Sequence, residues 1–224
     1  FRLWYSEIGT PILTVSSTYE AEQKRYFLTF NQMIHTPLNR VTEPLHIPVR
    51  IGLLDEHGHA LCEEILHVRE RTQTFIFDHL PSMPIPSLLR DFSSPVILHY
   101  PYSDDECLFL FKHDQDPFNR WEAGQRYMTR VLLQMIEDYQ KKRPLQFSEK
   151  VFAIFQAILH QDEGDLCLVA EMLLLPSEQY LGEQMTVIDV DAIHAVREFA
   201  LLQLATQLSD IFSRTYHHYH DDPR

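Results

Sequence analysis

The sequence predicts an α+β protein whose two kinds of structure are segregated along the chain. An N-terminal antiparallel, immunoglobulin-like β-sandwich is expected over residues 1–112, and an all-α, hairpin-built, solenoid-like segment over residues 113–224. Three observations predict this. Short alternating or β-branched runs recur through the first half, separated by turn residues. Nine of the 13 prolines lie at or before Pro101, where they suit turns and strand edges because proline has no N–H to give a ladder. After Asp116-Pro117 the apolar spacing changes from two to three or four.

The strand runs are Ile12–Ser16, Tyr26–Asn31, Ile47–Leu54, Ile65–Val68, Thr74–Phe77, Val96–Tyr100 and Cys107–Phe111. Glu56-His57-Gly58 reads as a hairpin turn. Pro81-Ser82-Met83-Pro84-Ile85-Pro86 is too proline-rich for a helix or a central strand, and is expected to form a stiff extended crossover.

Asp116 suits a helix N-cap, since its carboxylate can accept from free first-turn N–H groups, and Pro117 suits the first helical position. Phe118, Trp121, Gln125, Met128, Leu132, Met135 and Tyr139 then form one stripe, interrupted at Gln125. Read as core, Trp121 predicts a loss of about 3–5 kcal/mol on truncation to alanine. Lys141-Lys142-Arg143-Pro144 stops this helix. Ser148 caps a second, and Gly164-Asp165 opens a third that ends at Pro176. Ser177 caps a fourth, and Asp189 or Asp191 starts a long fifth through Leu208, Ile211 and Phe212. Tyr216 to Arg224 has no apolar period and reads as frayed. The last helix is expected to expose Leu or Phe side chains, as an uncapped helical array would.

Composition narrows the function classes. The 224 residues carry a net charge of −13 with no basic run, which disfavours nucleic acid and anionic membrane partners. No apolar run approaches the ~20 residues that span a bilayer. The opening Phe1-Arg2-Leu3-Trp4 has no signal-peptide pattern and looks cut from something longer. Cys62, Cys107 and Cys167 form no C-x-x-C pair, as expected of reduced thiols in the cytoplasm.

No chemistry-bearing motif emerges. H-E-x-x-H, G-x-G-x-x-G, the P-loop and G-x-S-x-G are all missing from the sequence. His57-Gly58-His59 and His217-His218-x-His220 offer metal-type ligands, but from a turn and a frayed tail rather than a fixed scaffold. Asp114-x-Asp116 echoes a calcium loop that Pro117 breaks, and Asp104-Asp105-Glu106 reads as a solvated turn.

Four stretches resemble the aminopeptidase N (alanyl aminopeptidase) family of zinc metallopeptidases, in its bacterial branch. Trp4-Tyr5-Ser6 with Gly9-Thr10-Pro11 and the strand Ile12–Val15 resembles the segment after the family's catalytic domain. Pro44-Leu45-His46-Ile47-Pro48 resembles a third-domain strand. Pro86-Ser87-Leu88-Leu89-Arg90-Asp91-Phe92-Ser93-Ser94-Pro95-Val96 resembles the family's P-S-L-L-R-x-F-S-A-P-V signature, with Ser94 in place of the usual Ala. Asp116-Pro117-Phe118-Asn119-Arg120-Trp121-Glu122-Ala123-Gly124-Gln125 is similar to the opening of the family's helical domain. The matches run in order from Phe1 to Gln125; the later helices fit only in kind.

The resemblance implies a sandwich plus the first helices of a superhelix, taken from an enzyme that removes N-terminal amino acids with a zinc-activated water. The family's zinc ligands, its G-A-M-E-N motif and its catalytic Tyr would lie upstream. No catalytic residue and no metal ligand is therefore carried over, and zinc belongs to the parent alone. The implied partners are the catalytic domain, the rest of the helical domain and, for the parent, peptide substrates. Trp4, Tyr5, Pro11, Arg90, Phe92, Asp116, Phe118, Arg120 and Trp121 are the candidates for structural and interdomain contacts. The competing expectation is a stand-alone module that binds peptide or glycan through Trp4, Tyr5, Tyr100 and Tyr102.

Overall fold

A computed structural model describes residues 3–6, 9–34, 43–160 and 165–220. The chain forms two compact units, Phe1–Arg120 and Trp121–Arg224. In the first, a short helix α1 (Leu3–Ser6) precedes strands β1 (Pro11–Glu20), β2 (Arg25–Ile34), β3 (Ile47–Leu54), β4 (Ala60–Val68), β5 (Thr72–Phe77), β6 (Ile85–Leu88) and β7 (Ile97–His99). One sheet has the order β5-β2-β1-β7 and the other β4-β3-β6. The alternation in the sequence sorts the two faces. Leu13 and Val15 of β1 are buried while Thr14 and Ser16 face out, and Ile47, Val49, Ile51 and Leu53 of β3 are fully buried.

The sandwich is not wholly antiparallel. β7 lies parallel to β1, pairing Ile12 with Ile97 and Thr14 with His99. β6 falls at the end of the proline-rich segment, expected as an extended crossover and excluded as a central strand. It is an edge strand bonded to β3 alone, so Pro86, opposite Leu53, has no second ladder to interrupt. The turn after β3 is as expected: Gly58 has φ 87°, and a Cβ there would meet the His113 Cβ at 2.7 Å.

One expected strand is a helix. Cys107–Phe111 lies inside α2 (Asp104–His113), with Cys107, Leu110 and Phe111 buried on one side at helical spacing. Asp104-Asp105-Glu106 is accordingly the first turn of α2, not a solvated turn. The Ser103 side chain accepts from the Glu106 N–H, and the Glu106 carboxylate accepts from the Ser103 N–H, so each satisfies the other's orphan donor.

Helix α3 (Pro117–Gln140) begins as predicted, with the Asn119 N–H donating to the Asp116 carboxylate at 2.9 Å. The boundary between the units falls within α3. Its buried line is Ala123, Tyr127, Met128, Leu132, Met135 and Ile136, whereas Trp121 and Gln125 are half-buried. Gln125 interrupts the stripe because its amide donates to the Leu174 carbonyl at 2.7 Å.

Three further helices start at their predicted caps. Ser148 caps α4 (Glu149–Leu159), Asp165 caps α5 (Leu166–Met172) and Ser177 caps α6 (Glu178–Glu183). Gly164 lies outside the described residues, and α5 ends at Met172, short of Pro176. The predicted long fifth helix is two: α7 (Val190–Gln207), capped by Asp189, and α8 (Ser209–His220), separated at Leu208 with φ −111° and ψ 13°. Ser209 and Asp210 favour a helix start over a helix interior, which places the break there. The stretch Tyr216–His220, expected to fray, is helical; Asp221 to Arg224 lie outside the described residues. The expected exposed leucines are Leu201 and Leu202, in the α7 part of the helix read as last.

Candidate functional site

The densest polar construction among the described residues surrounds Arg90, in the single 3₁₀ turn Arg90–Phe92 that follows β6. Its guanidinium lies over Gly52 of β3, where a Cβ would come within 2.5 Å of Cζ; only glycine leaves room for it. Nε donates to Ser87 Oγ at 2.9 Å, Nη1 to Glu63 Oε1 at 2.6 Å and Nη2 to Asp114 Oδ1 at 2.8 Å. The Asp114 side chain is 0% exposed and that of Arg90 6%. A rigid planar fork suits three partners on three elements in a way that a lysine ammonium does not.

The network then reaches the start of α3. Asp114 Oδ1 also accepts from the Asp116 N–H at 3.0 Å. Asp116 accepts from the Asn119 N–H through one oxygen and from the Asp91 N–H through the other, both at 2.9 Å. Asn119 Nδ2 donates to Ser87 Oγ at 2.8 Å and to the Leu88 carbonyl at 3.0 Å. One connected set thus ties β3, β4 and β6 to the end of α2 and the cap of α3. Burial lowers the Arg120 guanidinium below its usual value, while the Asp114 charge acts in the opposite sense. Arg120 Nε donates to the Phe111 carbonyl at 3.2 Å.

The loop is strained. Leu89, Asp91 and Phe92 have φ of 60°, 54° and 49°, and none is glycine. Left-handed backbone costs a non-glycine residue on the order of 1–2 kcal/mol. The strain holds Phe92 outward, 67% exposed, with its ring 3.8 Å from that of Phe118. Asp91 beside it forms an ion pair with Arg50. Chemically, the cluster can fix a geometry: Arg90 is paired with Glu63 and Asp114, and Asp91 with Arg50.

Of the candidates from sequence, the structure gathers Arg90, Phe92, Asp116, Phe118 and Arg120 here. Trp4 lies elsewhere, donating from Nε1 to the His46 carbonyl at 3.1 Å; Tyr5 is 82% exposed, and Pro11 is buried at the start of β1. Trp121 belongs to the second unit. Gly52, Glu63, Ser87 and Asn119 were not singled out, and Asp114 was read only as part of a broken calcium-loop pattern. Ser87 and Asn119 stood inside quoted motifs, and a polar residue next to a cap is the available signal; nothing in the sequence pointed to Glu63. Tyr100 and Tyr102, proposed as loop aromatics for ligand, are buried. Their rings are 4.4 Å apart, and the Tyr102 hydroxyl donates to the Pro86 carbonyl at 2.7 Å.

Among the described residues no group of three or more His, Cys, Asp or Glu could hold a metal ion. The His57 and His59 N–H groups both donate to the Asp55 carboxylate at 2.8 Å, so that side chain serves the turn. In the second unit, the end of α3 and the segment 185–191 line a groove of about 800 Å³.

Residues 104–224 match a family profile described as a domain of unknown function, DUF3458_C, with ARM repeats. The chain belongs to the DUF3458_C family. In front of the DUF3458_C repeats, residues 9–101 match the DUF3458 domain of unknown function, described as having an Ig-like fold, in accord with the sandwich. The chain is 38% identical to Aminopeptidase N of Escherichia coli (strain K12) over 219 residues, which is 94% of this chain and 25% of that protein. It is 34% identical to Aminopeptidase N of Haemophilus influenzae over 227 residues, covering 97% of this chain and 26% of the relative. A crystal structure of Legionella pneumophila aminopeptidase A in complex with aspartic acid superimposes with a TM-score of 0.82 at 28% identity. It covers 100% of this chain and 26% of that one. The chain thus spans about a quarter of the length of these relatives, and is homologous to a non-catalytic portion of aminopeptidase N family members.

Proposed function

We propose that this chain is the sandwich and helical region of a zinc-dependent aminopeptidase that removes N-terminal amino acids from peptides, and that it braces the catalytic domain and carries the helical cover over it. The observation that carries the reading is the match to aminopeptidase N along 94–97% of this chain but only 25–26% of the relatives. The residues here do not fit zinc: the sequence has no H-E-x-x-H, and the described residues bring together no ligand set. On this reading zinc and the chemistry it supplies belong to the remainder of the parent polypeptide. What this region supplies is rigidity, through the Arg90 network, and helical surface.

The partners on this reading are the catalytic domain, further helices and the parent's peptide substrates. The net charge of −13 argues against nucleic acid. No helix among the described residues is long and apolar enough to cross a membrane. The free Cys62, Cys107 and Cys167 support a reducing, cytoplasmic compartment. The test uses an antibody raised against this chain. A source polypeptide several times its size, releasing amino acids from aminoacyl p-nitroanilides until chelated, is the expected result. A native polypeptide of 26.5 kDa, or chelator-sensitive turnover by the purified chain itself, would overturn the reading.

A further inference from the structure

Phe92 is held in a conformation that its own unit does not reward. At φ 49° a glycine would sit without steric cost, whereas a bulky residue there is an outlier. The ring stacks, tilted, on Phe118 and is 67% exposed. Yet the surrounding hydrogen bonds determine the loop many times over. The Asp91 N–H donates to Asp116, the Arg50 N–H to Ser93 Oγ, and Ser94 Oγ to the Pro48 carbonyl. Preorganisation of this kind lowers the ordering cost of an association, and exposed aromatics on rigid supports are the usual anchors of protein interfaces. The neighbouring charges, Arg50 and Asp91, already neutralise one another, so the platform suits an apolar side chain rather than an acidic or basic one.

We infer that the Phe92–Phe118 pair is an interdomain anchor, covered in the longer polypeptide by an apolar side chain from outside residues 1–224. The inference rests on the reading above that such a polypeptide exists, and the larger share of each relative does lie outside the matched quarter.

The test is thiol labelling at position 92. Phe92→Cys is made with Cys62→Ser and Cys167→Ser, in this chain alone and in the longer source polypeptide; Cys107 is fully buried and stays. Maleimide should react rapidly in the chain alone and roughly tenfold or more slowly in the longer polypeptide, as expected of a site that labels only on local opening. Equal rates in the two would overturn the contact and leave the aminopeptidase reading standing. A source that makes only a chain-sized polypeptide would overturn both. As a second measurement, Phe92→Ala should lower the melting temperature of the longer polypeptide and leave that of the chain unchanged. Equal shifts would show that the ring serves only its own unit.

Discussion

In the unit Phe1–Arg120 the buried set includes Gln32, Ser87, Arg90, Ser94, Asp114, Asp116 and Asn119; in the unit Trp121–Arg224 Thr129 is the one buried polar residue among those described. The second unit shows the opposite excess. Leu174, Val187, Ile188, Val190 and Leu202 stand 56–78% exposed, and α8 buries no side chain fully. The two units are thus specified in different ways. Two stacked sheets fix their spacing through apolar faces, and the Arg90 network adds buried polar ties from β4 and β6 to Asp114, Asp116 and Asn119 within the same unit. A helical array adds one layer at a time, and each added layer leaves an apolar face for the next.

The largest effect that sharpens this comparison is expected from Arg90→Ala. It leaves the Asp114 carboxylate buried without its cation, which costs about 3–5 kcal/mol. The loss should appear in urea unfolding, and amide exchange should accelerate in β3, β6 and α2 ahead of α7. Acceleration of equal size in α7 would break the comparison. Gly52→Ala should follow at about 1–3 kcal/mol, because the new methyl overlaps the guanidinium and either the strand or Arg90 must move. If Gly52→Ala is silent, Arg90 has a second resting place and the network is not the fixed point.

Trp121→Ala should cost about 2 kcal/mol by thermal melt. This is less than the full-core loss expected from the stripe, since the indole is half-buried. The smallest effect is a titration in the second unit. The hydrogen bond that His194 Nδ1 donates to the Glu178 carboxylate, at 2.8 Å, raises the His194 pKa above the usual 6.5. A raised folded-state pKa adds stability that is fully present below 6.5 and is lost as pH rises through the folded value. Both side chains are substantially exposed, so the effect on unfolding is slight. An NMR titration should show the raised value, and Glu178→Gln should lower it.

The sequence alone carried most of the local grammar. Asp116-Pro117, Ser148, Asp165, Ser177 and Asp189 all start helices because an N-cap is satisfied within three residues of chain. Six strand positions were legible because burial on one face imposes a period of two. The misreading of Cys107–Phe111 was also local: a five-residue apolar run fits either period, and the deciding signal, Ser103 with Glu106 three residues on, was present but unread.

What only the tertiary structure decided is long-range. That β7 runs parallel to β1, that Pro86 joins a sheet edge, and that Arg90 meets Gly52, Glu63 and Asp114 depend on which distant residues become neighbours. Side-chain spacing carries no information on that. The physical reason is that a cap or an amphipathic stripe is satisfied within a few residues. A buried charge is satisfied only by partners brought to it by the fold, here from 27 positions before Arg90 and 24 after it.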